Sequence, residues 1–328
     1  MSTARKAWIG FDVGGQSVKA VLLGEDAEKL AEAKRPTGLV TNAGTLIEAL
    51  ADLGVRLSKA APGGCEVAET VGVGIAGVMA SDGVLAGSPN LPRMVGTQVR
   101  SALTDGLRRS VVIDNDANCA ALAEGWHGGA ADGCADFFLL TLGSGIGSGL
   151  VLGGALYHGA TGYGCELGHT IIVAGGRRCG CGNRGCLEAY VSESAARALV
   201  AEAAGELPAK VEKLVNERKW GHAHALFSLA DEGDGPAADV VGGMIRMLGA
   251  GLGSAVNLLD VPTLVLGGGI APAVLEREPQ LRAAIGEFLF ARPVEAVTIL
   301  GARRGSDAGA VGAARLAMLR DEAEDAVR

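Results

Sequence analysis

Between Glu166 and Glu188 the chain reads Glu-Leu-Gly-His-Thr-Ile-Ile-Val-Ala-Gly-Gly-Arg-Arg-Cys-Gly-Cys-Gly-Asn-Arg-Gly-Cys-Leu-Glu. His169, Cys179, Cys181 and Cys186 place four zinc-type ligands within 18 residues. A Cys3His set is one of the standard tetrahedral shells of structural zinc. The glycines at 175, 176, 180, 182 and 185 allow a short loop to fold tightly around an ion. Free cysteines are often simply buried in a core. Three within eight residues, spaced by Gly, Asn and Arg, do not have that pattern. Four protein ligands leave no open coordination position, so the metal is expected to be structural. Chemistry must then come from elsewhere, and Glu166 and Glu188, which bracket the segment, are candidates.

Two glycine turns follow apolar runs. In the first, Asp12-Val13-Gly14-Gly15-Gln16-Ser17 separates Ala7–Gly10 from Val18–Leu23, and Lys19 adds a positive charge. The pattern is a hairpin with an acid at the end of its first strand. Backbone N–H groups at Gly14 and Gly15 would form an anion site, although a plain hairpin reads the same way. The second, Leu142-Gly143-Ser144-Gly145-Ile146-Gly147-Ser148-Gly149, repeats this layout about 130 residues later. The repetition suggests a duplicated core. No Gly-Lys-Ser/Thr phosphate loop occurs, and the period-two glycines are strand spacing rather than a dinucleotide fingerprint. Asp114-Asn115-Asp116 follows the apolar run Val111–Ile113 and opens an Ala-rich helix expected to Gly128. An Asn or Asp at a helix start is ordinarily a cap. Polar groups at the carboxyl end of a buried strand also stand where open α/β sheets bind ligands, which makes Asp116 a candidate base. Gly267-Gly268-Gly269 makes a further opening after the strand Thr263–Leu266.

The elements that must position these groups are legible from periodicity. Leu46, Leu50, Leu53 and Leu57 mark an amphipathic helix over Asn42–Ala60. Val71–Ala76, Phe137–Thr141 and Val297–Gly301 read as strands. Ser192–Ala204 and Pro236–Leu259 read as helices, as does a C-terminal segment from Gly305 past Leu319. Leu207–Gly235 is more polar, with short helical pieces, and the charged tail is expected to be solvated. Ser88-Pro89-Asn90-Leu91-Pro92 reads as a loop.

The 328 residues allow two ordinary domains or one large one. A net charge of −8 argues against a nucleic-acid binder, which carries a basic patch or stripe. Seven clustered cysteines do not form a disulfide framework. Neither a signal peptide nor an apolar run of membrane-spanning character is recognisable, so a cytoplasmic protein without membrane association is expected.

With these residues placed, the chain resembles the ROK family (repressor, open reading frame, kinase). The likeness rests on Asp12–Lys19, Ser88–Pro92, Asn115–Ala121, Leu142–Gly149, Glu166–Glu188, Gly267–Ile270 and Gly305–Ala314. It implies a two-domain α/β fold of the actin-like (ribonuclease H-like) ATPase type, with an interdomain cleft where sugar and ATP meet and a structural zinc loop. The expected division is a small domain of residues 1–114 plus about 305–328, and a large domain of 115–304. The resemblance implies Asp116 as the base. Asn115, Glu166, His169 and Glu188 become sugar ligands, with Asn90 and the Gly77 backbone as additions. Gly14, Gly15, Gly143, Ser144 and Gly145 become phosphate contacts, and Gly267, Gly268 and Gly269 a wall against adenosine. Asp12 is placed to hold Mg2+ through water. The chain departs from the family pattern at three positions. Gln16 and Ser144 stand where Thr is usual, and Cys165 where Gly is usual; Ser17 can substitute as the hydroxyl of the first turn.

An ATP-dependent kinase acting on the 6-hydroxyl of a hexose, glucose first, is therefore expected, with ATP, Mg2+ and structural Zn2+ as cofactors. N-acetylated hexosamines, mannose, fructose and a cyclitol are the alternative substrates. A sugar-sensing protein or transcriptional regulator without kinase activity is the alternative of another class. The resemblance also implies a homodimer or higher homo-oligomer.

Overall fold

The computed structural model describes residues 5–88 and 91–327. Strands β1 (Arg5–Val13), β2 (Ser17–Gly24) and β3 (Lys29–Pro36) run antiparallel in sequence. Helix α1 (Ala43–Ala60) leads to β4 (Cys65–Ile75), which lies parallel to β1. A small ribbon, β5 (Val78–Met79) with β6 (Leu85–Gly87), and α2 (Val99–Leu107) precede β7 (Ser110–Asn115), parallel to β4. Helix α3 (Asp116–Glu124) starts directly from β7. Next come β8 (Phe137–Leu142), β9 (Ile146–Leu152), β10 (Ala155–Leu156), α4 (Glu188–Val191), α5 (Glu193–Glu202), α6 (Leu207–Arg218), α7 (His222–Asp231) and α8 (Gly235–Leu259). The chain ends with β11 (Thr263–Gly267), α9 (Ala271–Leu275), α10 (Glu278–Gly286), β12 (Thr298–Gly301) and α11 (Ala308–Asp325).

The strands form two five-stranded sheets, ordered β3-β2-β1-β4-β7 and β10-β9-β8-β11-β12. Numbered within each sheet, both orders are third, second, first, fourth, fifth. This is the repetition that the two glycine turns suggested. The described residues divide into two compact units. Unit 1 holds residues up to Asp136, Gly149–Cys165 and Arg303 onward; unit 2 holds Phe137–Ser148 and Glu166–Ala302. The boundary expected after residue 114 differs from this division, in which α3, the segment to Asp136 and Gly149–Cys165 group with the first sheet.

Local sequence explains most of the elements. Asn42 caps α1 in a reciprocal box with Thr45, and Leu46, Leu50, Leu53 and Leu57 are buried as their spacing predicts. Asp234 caps α8. Strand β3 was not marked by an apolar run: Lys-Leu-Ala-Glu-Ala-Lys-Arg-Pro lies at a sheet edge, and half of its residues are exposed. Charged residues on an edge strand discourage pairing with another chain. Helix α3 ends at Glu124 rather than Gly128, with Gly125 as its C-cap. Glu124 is fully buried, and its carboxylate accepts hydrogen bonds from the backbone N–H groups of Ala130, Arg303 and Arg304.

Helix α11 packs on the first sheet with almost no side chain between. A Cβ at Gly72 would stand 1.7 Å from the Ala313 carbonyl oxygen, and one at Gly10 2.0 Å from that of Ala310. On its other side, a Cβ at Gly312 would stand 1.6 Å from the carbonyl oxygen of Cys119 in α3. The tail expected to be solvated is helical to Asp325 and is anchored by one acid. Asp321 accepts hydrogen bonds from Trp8 Nε1 (2.9 Å) and Thr70 Oγ1 (2.5 Å) and pairs with Lys6 (2.9 Å). In unit 2, Gly249 and Gly251 of α8 let Ala284 and Leu187 approach closely. Among the described residues no helix is long and apolar enough to cross a membrane.

Gly72→Ala is expected to cost about 3 kcal/mol or more in urea unfolding, because the obstacle is backbone that cannot move aside. Gly63→Ala, with nothing within 4 Å, should stay within about 0.5 kcal/mol. Equal midpoints for the two variants would refute the close packing of α11.

Candidate active site

In unit 1 the candidate residues gather at one edge of the first sheet. Val13, Ile75 and Asn115 are aligned in register across the parallel strands β1, β4 and β7. Asp12, the first glycine turn, Gly77 and Asp116 therefore all stand at carboxyl ends, the edge where open α/β sheets take ligands.

The first turn is braced from behind. Gly14 N donates to Ser17 O (3.2 Å), and Thr37, buried, donates through Oγ1 to Gly14 O (2.7 Å) and through its N–H to Gln16 O (3.0 Å). Among the described residues the N–H groups of Gly15 and Gln16 have no backbone acceptor, the condition for an anion-binding concavity. Lys19, opposite Asp12 in register, donates to the carbonyl of Ser306 at 2.5 Å. It is thus partly engaged by the C-terminal segment, while Lys29 pairs with Asp307 at 2.7 Å. A Cβ at Gly309 would lie 2.7 Å from the Asp12 carboxyl carbon, so α11 covers that acid. Burial pushes the Asp12 pKa up to about 6; Lys19 opposes this and Asp307 adds to it. A carboxylate in this position gains from a cation.

At the end of β7, Asn115 caps α3: its Oδ1 accepts from Ala117 N (2.7 Å) and Asn118 N (3.2 Å). Its Nδ2 donates to Gly77 O at 2.9 Å. Asn115 is thus the cap of α3, and its amide ties that cap to Gly77. Asp116 follows, half-buried in the first turn of the helix, and its Oδ1 accepts from Ala117 N at 2.9 Å. The buried Asp114 accepts from Asn115 N and Asn118 Nδ2 and lies 2.6 Å from His158 Nε2. Sequence reading passed over Thr37 and His158, since no local pattern joins them to the site, and it gave Asp114 no role although Asp114 stands in the same polar run as Asp116. Asn90 lies outside the described residues.

In unit 2 the second turn stands at the end of β8. Leu140 and Thr141 are in register with Leu266 and Gly267 of β11. Gly143 N donates to Gly145 O (2.9 Å), Glu193 N donates to Gly143 O (2.9 Å), and Ser194 Oγ donates to Ser144 O (2.8 Å). The N–H groups of Ser144 and Gly145 have no backbone acceptor among the described residues. Gly268, at φ +85, packs on the same strand end, where a Cβ would be 2.4 Å from Leu142 O. Gly267–Gly269 and the Gly143–Gly145 turn are thereby brought together.

His169, Cys179, Cys181 and Cys186 converge, their ligand atoms all within 4.8 Å of one another. Cys181 and Cys186 sulfurs are 3.6 Å apart, and Cys179 Sγ is 3.8 Å from His169 Nδ1. A tetrahedral ion with bonds of about 2.3 Å to sulfur needs sulfurs about 3.8 Å apart, so the spacing fits. Burial pushes the Cys179 thiol up to about 12; a cation would supply the charge that lets it ionise. Glu188 links this cluster to the glycine turn. Its Oε2 accepts from Ile146 N at 2.9 Å, and Cys179 Sγ lies 3.5 Å from its Oε1. A Cβ at Gly145 would collide with it at 2.3 Å. Glu166 is raised above the ordinary carboxylate value, first by burial, with His169 opposing and Glu188 adding. Glu166, His169 and Glu188 thus share one electrostatic neighbourhood. Cys165 adopts a left-handed backbone (φ +66), which explains why glycine suits the position; a side chain there costs on the order of 1 kcal/mol.

The chain is similar over most of its length to proteins of known family. The ROK family model matches residues 8–320. A glucokinase of Thermotoga maritima is 30% identical over 310 residues, covering 94% of this chain and 96% of its own. An N-acetyl-D-glucosamine kinase of Vibrio parahaemolyticus is 29% identical, covering 94% and 99%. Among solved structures, a ROK family glucokinase from Streptomyces griseus in complex with glucose and AMPPNP superposes with a TM-score of 0.79 at 29% identity, covering 95% of this chain and 99% of its own. The fold is the actin-like ATPase fold of ROK glucokinases, and the chain belongs to the ROK family.

Proposed function

We propose that this ROK sugar kinase carries the γ-phosphoryl group of ATP to the 6-hydroxyl of a hexose, glucose first, with Asp116 as the general base. The observation that carries the reading is the fixed carboxylate at the carboxyl end of β7 in a chain of this family. Phosphoryl transfer demands positioning and charge neutralisation, plus one group to take the hydroxyl proton. Asp116 is that group, and Asp114 and the Asn115 cap hold the backbone of its neighbours Asn115 and Ala117.

Glu166, His169 and Glu188 receive the sugar hydroxyls, together with Asn115, Asn90 and the Gly77 backbone. A carboxylate accepts two hydroxyls, so a few side chains suffice for a fan of donors. Glu188 already spends one oxygen on Ile146 N, so its remaining capacity is directional. The open N–H groups at Gly15 and Gln16, and at Ser144 and Gly145, support phosphate binding by the two turns. Gln16 contributes its backbone, which limits the effect of its bulkier side chain. Ser17, whose carbonyl closes the first turn, offers the hydroxyl there, and Lys19 retains two further donors beside its bond to Ser306. Asp12 would hold Mg2+ through water, and that ion would neutralise charge on the phosphates. Gly267–Gly269 forms the adenosine wall. His169, Cys179, Cys181 and Cys186 would hold a structural Zn2+, which stiffens the segment bearing both glutamates. The similarity to an N-acetyl-D-glucosamine kinase keeps an N-acetylated hexosamine as the second substrate reading.

Asp116→Asn is expected to lower turnover by about 10²–10⁴-fold, with sugar affinity retained within several-fold; unchanged turnover would sink the base assignment. ADP release across a panel of hexoses and N-acetylated hexosamines should be fastest with glucose, and silence with every sugar would favour a sensor. Cys181→Ser should lose bound zinc and thermal stability together. Elemental analysis of the purified wild type that finds no zinc would end the metal assignment.

A further inference from the structure

His158 has no part in the roles assigned above, yet it is wired to them. Its Nε2 lies 2.6 Å from Asp114 Oδ2. Asp114 is 6% exposed, and its other oxygen accepts from the backbone of Asn115 at 2.7 Å and the side-chain amide of Asn118 at 2.8 Å. Asn115 and Asn118 flank Asp116 on either side. One buried carboxylate therefore joins the imidazole to both ends of the short segment that carries the candidate base. Asn115 extends the linkage to Gly77 and to the first N–H groups of α3.

The ring itself is accessible. The His158 side chain is 42% exposed and borders a cavity of about 520 Å3 that lies wholly in unit 1. Arg100 from α2, Arg320 from α11 and Asp114 from β7 are the other charged groups on its walls. Asp114 raises the His158 pKa above its ordinary value through the hydrogen bond, and partial burial opposes this. The charged pair is present below that raised pKa and is lost as pH rises through it.

We infer that His158 is a positioning residue for Asp116: through Asp114 it fixes the Asn115–Asn118 segment and so aims the base. A buried carboxylate that loses one of its donors turns to find another. Here the turn would pull on the two asparagines that bracket Asp116. The inference rests on the reading of Asp116 as base.

The test uses the full chain with glucose and Mg-ATP. His158→Ala should lower kcat by up to about 10²-fold, the scale of a 1 Å misplacement, with KM for ATP little changed. Imidazole added to His158→Ala should restore turnover with increasing dose, since the cavity admits it. The restoration should weaken as pH rises and imidazolium is lost. His158→Gln, which keeps a donor, should retain more turnover than His158→Ala. Full activity in His158→Ala would overturn the inference. A loss that imidazole does not restore in a normally folded variant would overturn it equally, and thermal melts identify such folding. Should His158→Ala fail to fold, His158→Gln carries the decision: a folded variant whose kcat no longer changes as pH rises through the His158 pKa supports the inference, and a variant with wild-type pH dependence, or one folded but inactive, overturns it. An inactive Asp116→Asn beside a fully active His158→Ala removes the inference alone, whereas an active Asp116→Asn removes both readings.

Discussion

Unit 1 depends on backbone packed against backbone. Helix α11 lies on β1 and β4 because Gly10 and Gly72 present no side chain, and α3 lies on α11 because Gly312 presents none to Cys119. Protein interiors tolerate neither overlap nor gaps. Three missing side chains therefore set the depth at which two helices sit on one sheet. The consequences reach the candidate site directly. With α11 at this depth, Gly309 meets Asp12 and Ser306 meets Lys19. With α3 at this depth, Asp116 stands at the end of β7, and Glu124 at the far end of the helix ties the chain to Arg303 and Arg304. A side chain at any of the three glycines would shift the helices before it altered any ligand contact.

Unit 2 solves a related problem with a carboxylate. The second glycine turn is held by hydrogen bonds from Glu193 and Ser194 on one side and by Glu188 on the other. Glu188 also abuts Cys179. The order of the cysteine loop is thus shared with the turn, and the rigidity of one supports the other. This links what reads in sequence as a metal segment and what reads as a phosphate turn. Both turns, in their separate units, keep two N–H groups without backbone acceptors among the described residues by bracing the surrounding carbonyls.

Several features were legible because their physics is local. Ligands within 18 residues of one another can meet without help from distant parts of the chain. Leucines at helical spacing have one face to bury, and an asparagine between a strand and an Ala-rich segment caps a helix. The repeated turn announced the repeated sheet order. Other features were not legible. Strand β3 is polar because it is an edge, and its pairing with β2 replaces the apolar signal. Residues 322–327 are exposed, as the charged tail suggests, but Asp321 just before them is held by Trp8, Thr70 and Lys6, which no local pattern announces.

The chain by itself determined the zinc-type ligand set, the two glycine turns, the strand-end acids and, with them, the family. Each is a property of neighbours in sequence. Only the tertiary structure decided that Thr37 braces the first turn, that Lys19 is partly engaged by Ser306, that Asn115 divides itself between a cap and Gly77, and that His158 reaches Asp114. These are ordinary residue types far apart in the chain. Their roles come from hydrogen bonds that buried groups must make, and the partner for each is chosen by packing rather than by spacing.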